Sequence, residues 1–201
     1  VKRLLYASTT SVYGEAEGIV DENGTEELYK PASPYAESKR KTEKLLQEIY
    51  RHTGFPIIIL RKGTIFGTSI GMRFHTAINK FCYLAALNKP LTVWDSALES
   101  KRPYLGLQDC IKAYHHFEKH GQAGEIYNIV TDNFEMKKII ETIKSIIPNV
   151  KIEITKSPLL NQKPYHVSNE KSLIAGMTYK DNLFSSVKET IDLFKGINSN
   201  N

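Results

Sequence analysis

Two hydrophobic periods alternate along the chain. Largely apolar runs at residues 3–8, 56–61 and 125–130 read as strands, the first a parallel core strand and the second buried; the second, Pro56-Ile57-Ile58-Ile59-Leu60-Arg61, is a near-continuous β-branched run. Between the first two runs, Ser33-Pro34 supplies a cap and a proline at the first helical position. Glu37 lies in the first turn, Ala36, Leu45, Leu46 and Ile49 mark an apolar side, and Gly54 follows a predicted end near His52. Further helices are predicted at 75–88 (Ile78, Phe81, Cys82, Leu84, Ala85), 108–119, 135–146, near 169–175, and 185–194. Short extended pieces are predicted at 91–94, 103–107 and 151–154, the last as an edge strand. Residues 14–33 read as a loop, 95–102 as a polar hairpin-like excursion, 155–167 as irregular, and 198–201 as a disordered tail. Thr131-Asp132-Asn133 is expected to cap the helix at 135. Alternating strands and helices of this kind predict an α/β fold on a parallel sheet.

Composition narrows the class without naming a function. The 201 residues suffice for one domain or one and a half, and 41% hydrophobic with 24% charged residues is an ordinary globular balance. No apolar run approaches the roughly 18 residues of a spanning helix, and Val1-Lys2-Arg3 leads into a strand without a leader pattern. Cys82 and Cys110 both fall in apolar helical stretches, which predicts buried thiols and a reducing, cytoplasmic setting. The net charge of +5 is spread without a basic stripe interleaved with aromatics, so nucleic acid is not an expected partner. A mild positive field does suit an anionic ligand.

The candidate chemistry lies between Ala7 and Lys39. A hydroxyl run, Ser8-Thr9-Thr10-Ser11, ends the first strand, and Tyr35 and Lys39 stand four apart on the helix that follows. An ammonium beside a phenol favours the phenolate, which makes Tyr35 a candidate proton donor and acceptor, with Thr9 able to hold a substrate oxygen. On spacing alone the pair reads first as ordinary surface neighbours, worth about a few tenths of a kcal/mol to the helix. Gly63-x-x-x-Gly67-x-x-x-Gly71 lacks the spacing of a dinucleotide loop. His115-His116 point about 100° apart on a helix and make a poor metal pair, so no metal is expected. Ser8 with His52 or His75 lacks a nucleophile elbow.

The combination of Ser8-Thr9-Thr10-Ser11-Val12-Tyr13-Gly14 with Ser33-Pro34-Tyr35-Ala36-Glu37-Ser38-Lys39 resembles the extended short-chain dehydrogenase/reductases. Within them it is nearest the nucleotide-sugar epimerases and dehydratases. Leu60-Arg61 through Phe66-Gly67, Arg102-Pro103-Tyr104 and Gly124-Glu125-Ile126-Tyr127-Asn128-Ile129 extend the likeness in the same order over most of the chain.

The resemblance implies the C-terminal half of a Rossmann-like doubly wound parallel sheet (residues 1–66 and 108–149) plus a small α/β substrate-binding lobe (67–107 and 150–195), with 196–201 a tail. It implies NAD or NADP as cofactor and a nucleotide sugar as substrate. Tyr35 would be the acid/base, Lys39 would hold the nicotinamide ribose, and Thr9 would be the third catalytic residue, with Ser8, Lys62 and Gly63 beside the cofactor. Arg102 would grip the diphosphate and Arg73 a phosphate or sugar oxygen. Thr92 and Trp94 would cradle the base, though Trp94 equally suits a core, and Thr10 and Thr64 would face the sugar. The family's sugar dehydratases carry Asp-Glu after the catalytic Thr. Thr10 and Ser11 stand there instead, which implies epimerisation or keto reduction rather than dehydration. A chain that opens at Val1 lacks the family's strand, Gly-rich turn and helix. The expectation is therefore a fragment inactive by itself, whose alternatives are a binding or dimerisation piece or a reductase with a non-sugar substrate. Pairing of the Tyr35 helix with a second copy is a further implication, which a missing companion helix would weaken.

Overall fold

The structure, a computed structural model, describes residues 1–14, 16–24, 29, 31–156 and 165–198. Strand β1 (Leu4–Thr9) lies parallel to β3 (Ile57–Lys62), and β3 lies parallel to β7 (Ile126–Ile129). Leu4 faces Ile57, Thr9 faces Lys62, and Lys62 faces Ile129 across the ladder. Every residue of β3 from Ile57 to Arg61 is buried, as a central parallel strand covered on both faces requires.

Helix α1 (Pro34–Thr53) covers one face of this sheet. Its Ser33 cap accepts a hydrogen bond from the Ala36 amide at 3.2 Å, and Gly54 ends it in the left-handed region with its N–H on the Tyr50 carbonyl at 2.8 Å. Leu46 packs there with Ile57, Ile59 and Ile126. Helix α3 (Leu107–His120) covers the other face, where Ala113 and Phe117 meet Ile58, Leu60 and Ile129. The apolar side expected for α1 is corrected. The stripe toward the sheet runs through Ala36, Glu43 and Leu46, whereas Leu45 is 55% and Ile49 38% exposed. One residue along a helix is 100° of rotation, so 45 and 49 miss a stripe defined by 43 and 46.

Among the described residues the remaining strands form three small sheets. Strands β4 (Thr64–Phe66) and β6 (Lys101–Gly106) pair in parallel, and β8 (Asp132–Glu135) adds to β6 antiparallel. Strand β5 (Leu91–Trp94) pairs with β9 (Ile152–Thr155), and β2 (Gly18–Val20) with β10 (Tyr165–Val167). Helices α2 (Ala77–Ala86), α4 (Met136–Ile146) and α6 (Leu183–Asn198) close around a hydrocarbon core that includes Phe81, Leu91, Ile139, Ile143, Val187 and Ile191. A short helix, α5 (Glu170–Ile174), precedes α6.

Several expectations are corrected here. Residues 95–102 are not a hairpin, because β5 and β6 join different sheets. Thr131-Asp132-Asn133 does not cap α4. Residues 132–135 are strand β8, which places the Phe134 ring 6.1 Å from Phe66 and 5.8 Å from Tyr104, and the α4 cap is Glu135 without a side-chain bond. The loop at 14–33 contains β2, and the stretch at 155–167 ends in β10. Helix α6 runs past Phe194 to Asn198; residues 157–164 and 199–201, parts of the irregular stretch and the tail, lie outside the described residues. Cys82 and Cys110 are buried and unpaired, and burial pushes the Cys82 thiol up to about 12. Among the described residues no helix is long and apolar enough to cross a membrane.

Candidate active site

The carboxyl ends of β1 and β3 meet one face of α1. Thr9 ends β1 and caps a single 3-10 turn, Thr10–Tyr13. Its Oγ1 accepts from the Ser11 amide at 3.2 Å and donates to Ser11 Oγ at 3.1 Å. Thr10 Oγ1 donates to the Lys62 carbonyl at 3.4 Å. Gly63 follows with its N–H on the Ile129 carbonyl at 2.9 Å, and a side chain there would sit 3.0–3.1 Å from the Pro103 and Tyr104 backbone. That close crossing of β6 calls for glycine.

From α1, Tyr35, Lys39 and Glu43 project at four-residue spacing. Lys39 Nζ donates to the Ala7 carbonyl at 2.8 Å, two residues before Thr9, and lies 5.0 Å from the Tyr6 ring centroid and 5.8 Å from that of Tyr35. Tyr35 is 57% exposed, while Thr9 and Thr10 are buried.

Beneath this cluster is a buried ionic network. Glu43 Oε1 accepts from Ser8 Oγ at 2.5 Å and Arg61 Nε at 3.0 Å; Oε2 accepts from Arg61 Nη2 and Arg40 Nη1, each at 2.8 Å. Arg61 Nη1 donates to the Tyr13 hydroxyl at 3.0 Å, and that hydroxyl donates to Asn128 Oδ1 at 2.6 Å. Burial acts to raise the Glu43 carboxyl, but the hydrogen bonds and charge of Arg61, with Ser8 and Arg40, overcome it and hold Glu43 below the usual carboxylate range. Burial pushes the Tyr13 phenol well up, against the pull of Arg61.

A second contact joins the strand ends to β10. The Tyr165 hydroxyl bonds to the Thr10 and Arg102 side chains, and the Arg102 guanidinium lies 5.3 Å from the Tyr165 ring centroid. Thr10 and Arg102, separate in the sequence, therefore share one phenol. Lys62 Nζ reaches the Tyr114 hydroxyl at 3.0 Å. A further buried carboxylate, Asp109, accepts from the Lys180 and Asp181 amides at 2.8 and 3.0 Å and from Thr131 Oγ1 at 2.8 Å, fixing the start of α3 to the segment before α6.

Of the sequence-predicted residues, Ser8, Thr9, Thr10, Lys39, Lys62 and Gly63 converge at these strand ends, with Tyr35 on the same face of α1. Ser8 is turned inward to Glu43. Thr92 and Trp94 share the outward face of β5; Trp94 is 45% exposed, which removes the core alternative. Thr64 and Arg73 are also exposed. Among the described residues no hydrogen bond ties Thr64, Arg73, Thr92 or Trp94 to the cluster. Sequence reasoning missed Glu43, Tyr13, Asn128 and Tyr165, and gave Arg61 no role. Two signals were present: Glu43 extends the Tyr35–Lys39 spacing by one more step of four, and Arg61 directly follows the apolar run 57–60 within the same predicted buried strand.

A sequence profile of the NAD dependent epimerase/dehydratase family matches residues 1–130. The chain is 30% identical to human dTDP-D-glucose 4,6-dehydratase over 97% of this chain and 57% of that protein. It is 36% identical to an uncharacterized UDP-glucose epimerase of Bacillus subtilis over 56% of this chain and 34% of that protein. It thus spans about half the length of the curated relatives it matches. Among solved structures, RMD of Pseudomonas aeruginosa complexed with NADPH superposes with a TM-score of 0.77 at 25% identity, over 95% of this chain and 66% of that one. UDP-glucuronic acid 4-epimerase of Bacillus cereus in complex with NAD superposes with a TM-score of 0.84 at 23% identity, over 98% and 62%.

Proposed function

This chain belongs to the NAD dependent epimerase/dehydratase family, and on that premise we propose that it carries the proton-transfer half of a site that epimerises or reduces a nucleotide sugar with NAD or NADP. The observation that carries the reading is the arrangement of Lys39. Its ammonium is anchored on the Ala7 carbonyl beside the ring of an exposed Tyr35, at the carboxyl end of a parallel strand, where open α/β sheets take their ligands.

The residues fit a nicotinamide nucleoside. An ammonium has three donors, and Lys39 spends one on Ala7, so it can also bind ribose hydroxyls beside the Tyr35 ring. The chemistry a nicotinamide supplies when bound is hydride acceptance and return at the substrate's carbinol carbon. The chain's own part is proton transfer. The Tyr35 oxygen takes the proton of the sugar hydroxyl as it becomes a ketone and returns it when the ketone is reduced, and Thr9 holds the sugar oxygen by turning its O–H from Ser11 Oγ to the substrate. Arg102, steadied by Tyr165, suits a diphosphate through paired N–H donors, with Arg73 as a further anion contact and the Trp94 face available for a base. Thr10 and Ser11 support redox without loss of water. Neither is a carboxyl acid, Thr10 is bonded to Lys62 and Tyr165, and Ser11 is bonded to Thr9.

A second reading is favoured by the outward Leu45 and Ile49 of α1, which fit a contact with another copy of the chain. Sedimentation of Leu45→Glu against wild type separates it: a dimer lost in the variant supports the contact, and a monomer in both removes it.

The experiment for the main reading is proton NMR of the full-length protein incubated with a UDP- or dTDP-hexose and NAD, and with a 4-keto nucleotide sugar and NADH or NADPH. Inversion at one carbinol carbon of the hexose, or reduction of the ketone to a carbinol with oxidation of the reduced cofactor, is expected. A 4-keto-6-deoxy product, or no reaction with any nucleotide hexose, overturns it.

A further inference from the structure

The Glu43–Arg61 pair does more than fill the interior. A buried ion pair is weak evidence of stabilisation, since desolvating both charges offsets their attraction and apolar replacements often do as well. Its placement is more informative. The Glu43 carboxylate is wholly buried and takes four donors from three elements: Ser8 on β1, Arg40 on α1, and Arg61 on β3. Arg61, 1% exposed, passes the connection to Tyr13 at the end of the turn that Thr9 caps, and Tyr13 passes it to Asn128 on β7. Glu43 therefore connects the helix that presents Tyr35 and Lys39 with both ends of the segment that presents Thr9. Ser8 is the residue before Thr9, and Tyr13 closes the turn after it. Lys39 adds a parallel tether from the same stripe to Ala7.

We propose that Glu43, acting through Ser8, Arg61 and Tyr13, is the positioning residue that sets Thr9 against Tyr35 and Lys39. It cannot touch substrate, having no accessible surface. The proposal rests on the proton-transfer reading above. It explains why a carboxylate about two turns along α1 from Tyr35 is buried against a guanidinium on β3: their forked geometry fixes orientation as well as distance, which an apolar contact of the same volume does not.

The test compares wild type, Glu43→Gln and Tyr13→Phe. Glu43→Gln removes the charge at constant shape. Tyr13→Phe removes one oxygen, leaves the Glu43–Arg61 fork intact, and serves if Glu43→Gln does not fold. With a nucleotide hexose and NAD, Glu43→Gln should lower kcat by about ten- to a hundredfold, with KM, governed by Arg102, held within about twofold.

Amide hydrogen exchange reads the same claim without turnover. Exchange at Ser11 and Gly14, whose N–H groups close the Thr9 turn, should quicken at least about tenfold in Glu43→Gln and about threefold in Tyr13→Phe, while Cys82 and Val187 in the other core stay as in wild type. Equal acceleration in both cores means a purely structural pair and overturns the proposal, as does unchanged exchange at Ser11 and Gly14. A wild type without turnover on any nucleotide hexose overturns the proposed function instead, and the exchange contrast still decides the role of Glu43.

Discussion

The sheet β1-β3-β7 and the lobe closed by α2, α4 and α6 are both well packed, yet they are held by different chemistry. Around the lobe core the buried contacts are mainly aliphatic and aromatic, with Asn79, Thr142 and Thr190 bonded to nearby backbone: Ile139, Ile143, Val187 and Ile191 lie in the centre, with Phe66, Tyr104 and Phe134 against them and Phe74, Tyr83 and Phe194 ringed together at 5.0–5.6 Å. Through the sheet run Glu43, Arg61, Tyr13 and Asn128, with Asp109 at the start of α3. Hydrocarbon packing tolerates exchange of one shape for another of similar volume; a chain of directed hydrogen bonds does not. The region carrying Thr9, Tyr35 and Lys39 is the one built from directed bonds. The difference therefore separates a part whose geometry must be fixed from a part that must only be filled.

Breaking the network should be the harsher insult. Glu43→Ala leaves the Arg61 charge buried and unpaired, with an expected loss of about 3–5 kcal/mol in urea unfolding. A loss below about 1 kcal/mol would mean that water or a shifted side chain replaces Glu43. Ile143→Ala in the lobe should cost about 2–5 kcal/mol by cavity formation. It should leave kcat of the folded protein at the wild-type value, whereas a fall in kcat would show that the two regions are coupled.

Acid and alkali sharpen the comparison further. Glu43 is held below its unfolded value, so its contribution is present above about pH 4.3 and is lost as pH falls through the folded value. Glu43→Gln should flatten the acid limb of stability against pH. Tyr104, against the lobe core, is pushed by burial up to about 12. Its contribution is complete below about pH 10 and fades as pH rises toward the folded value, so Tyr104→Phe should flatten the alkaline limb alone. The smallest effect is expected on the surface, where Lys188→Ala breaks an exposed pair with Asp192 and should leave Tm unchanged.

Much of the frame was legible in the sequence because its signals are local. The β-branched run gave β3, Ser33-Pro34 and Gly54 bounded α1 to within a residue, and the motifs around Tyr35 pointed to the family that the profile match then showed. What stayed hidden depends on partners distant in sequence. A glutamate inside a charged helix looks solvated until Arg61, 18 residues on, turns it inward. Thr131-Asp132-Asn133 carries capping residues, but pairing with β6 and the fit of Phe134 between Phe66 and Tyr104 outweigh a cap. Strands of three residues such as β2 and β10 have too few positions to show a period, so Tyr165, which joins Thr10 to Arg102, fell in a stretch read as irregular. Leu45 and Ile49 misled because the stripe that meets the sheet includes a charged residue.

The central claim is that the exposed Tyr35 phenol beside Lys39 moves the proton. The most direct measurement is kcat of Tyr35→Phe against wild type on a nucleotide hexose with NAD, with binding of the sugar nucleotide followed in parallel by calorimetry. The ring and its packing remain and only the oxygen goes, so kcat should fall by about 10²–10⁴ with affinity for the sugar nucleotide kept. A Tyr35→Phe protein that turns over at the wild-type rate would contradict the account.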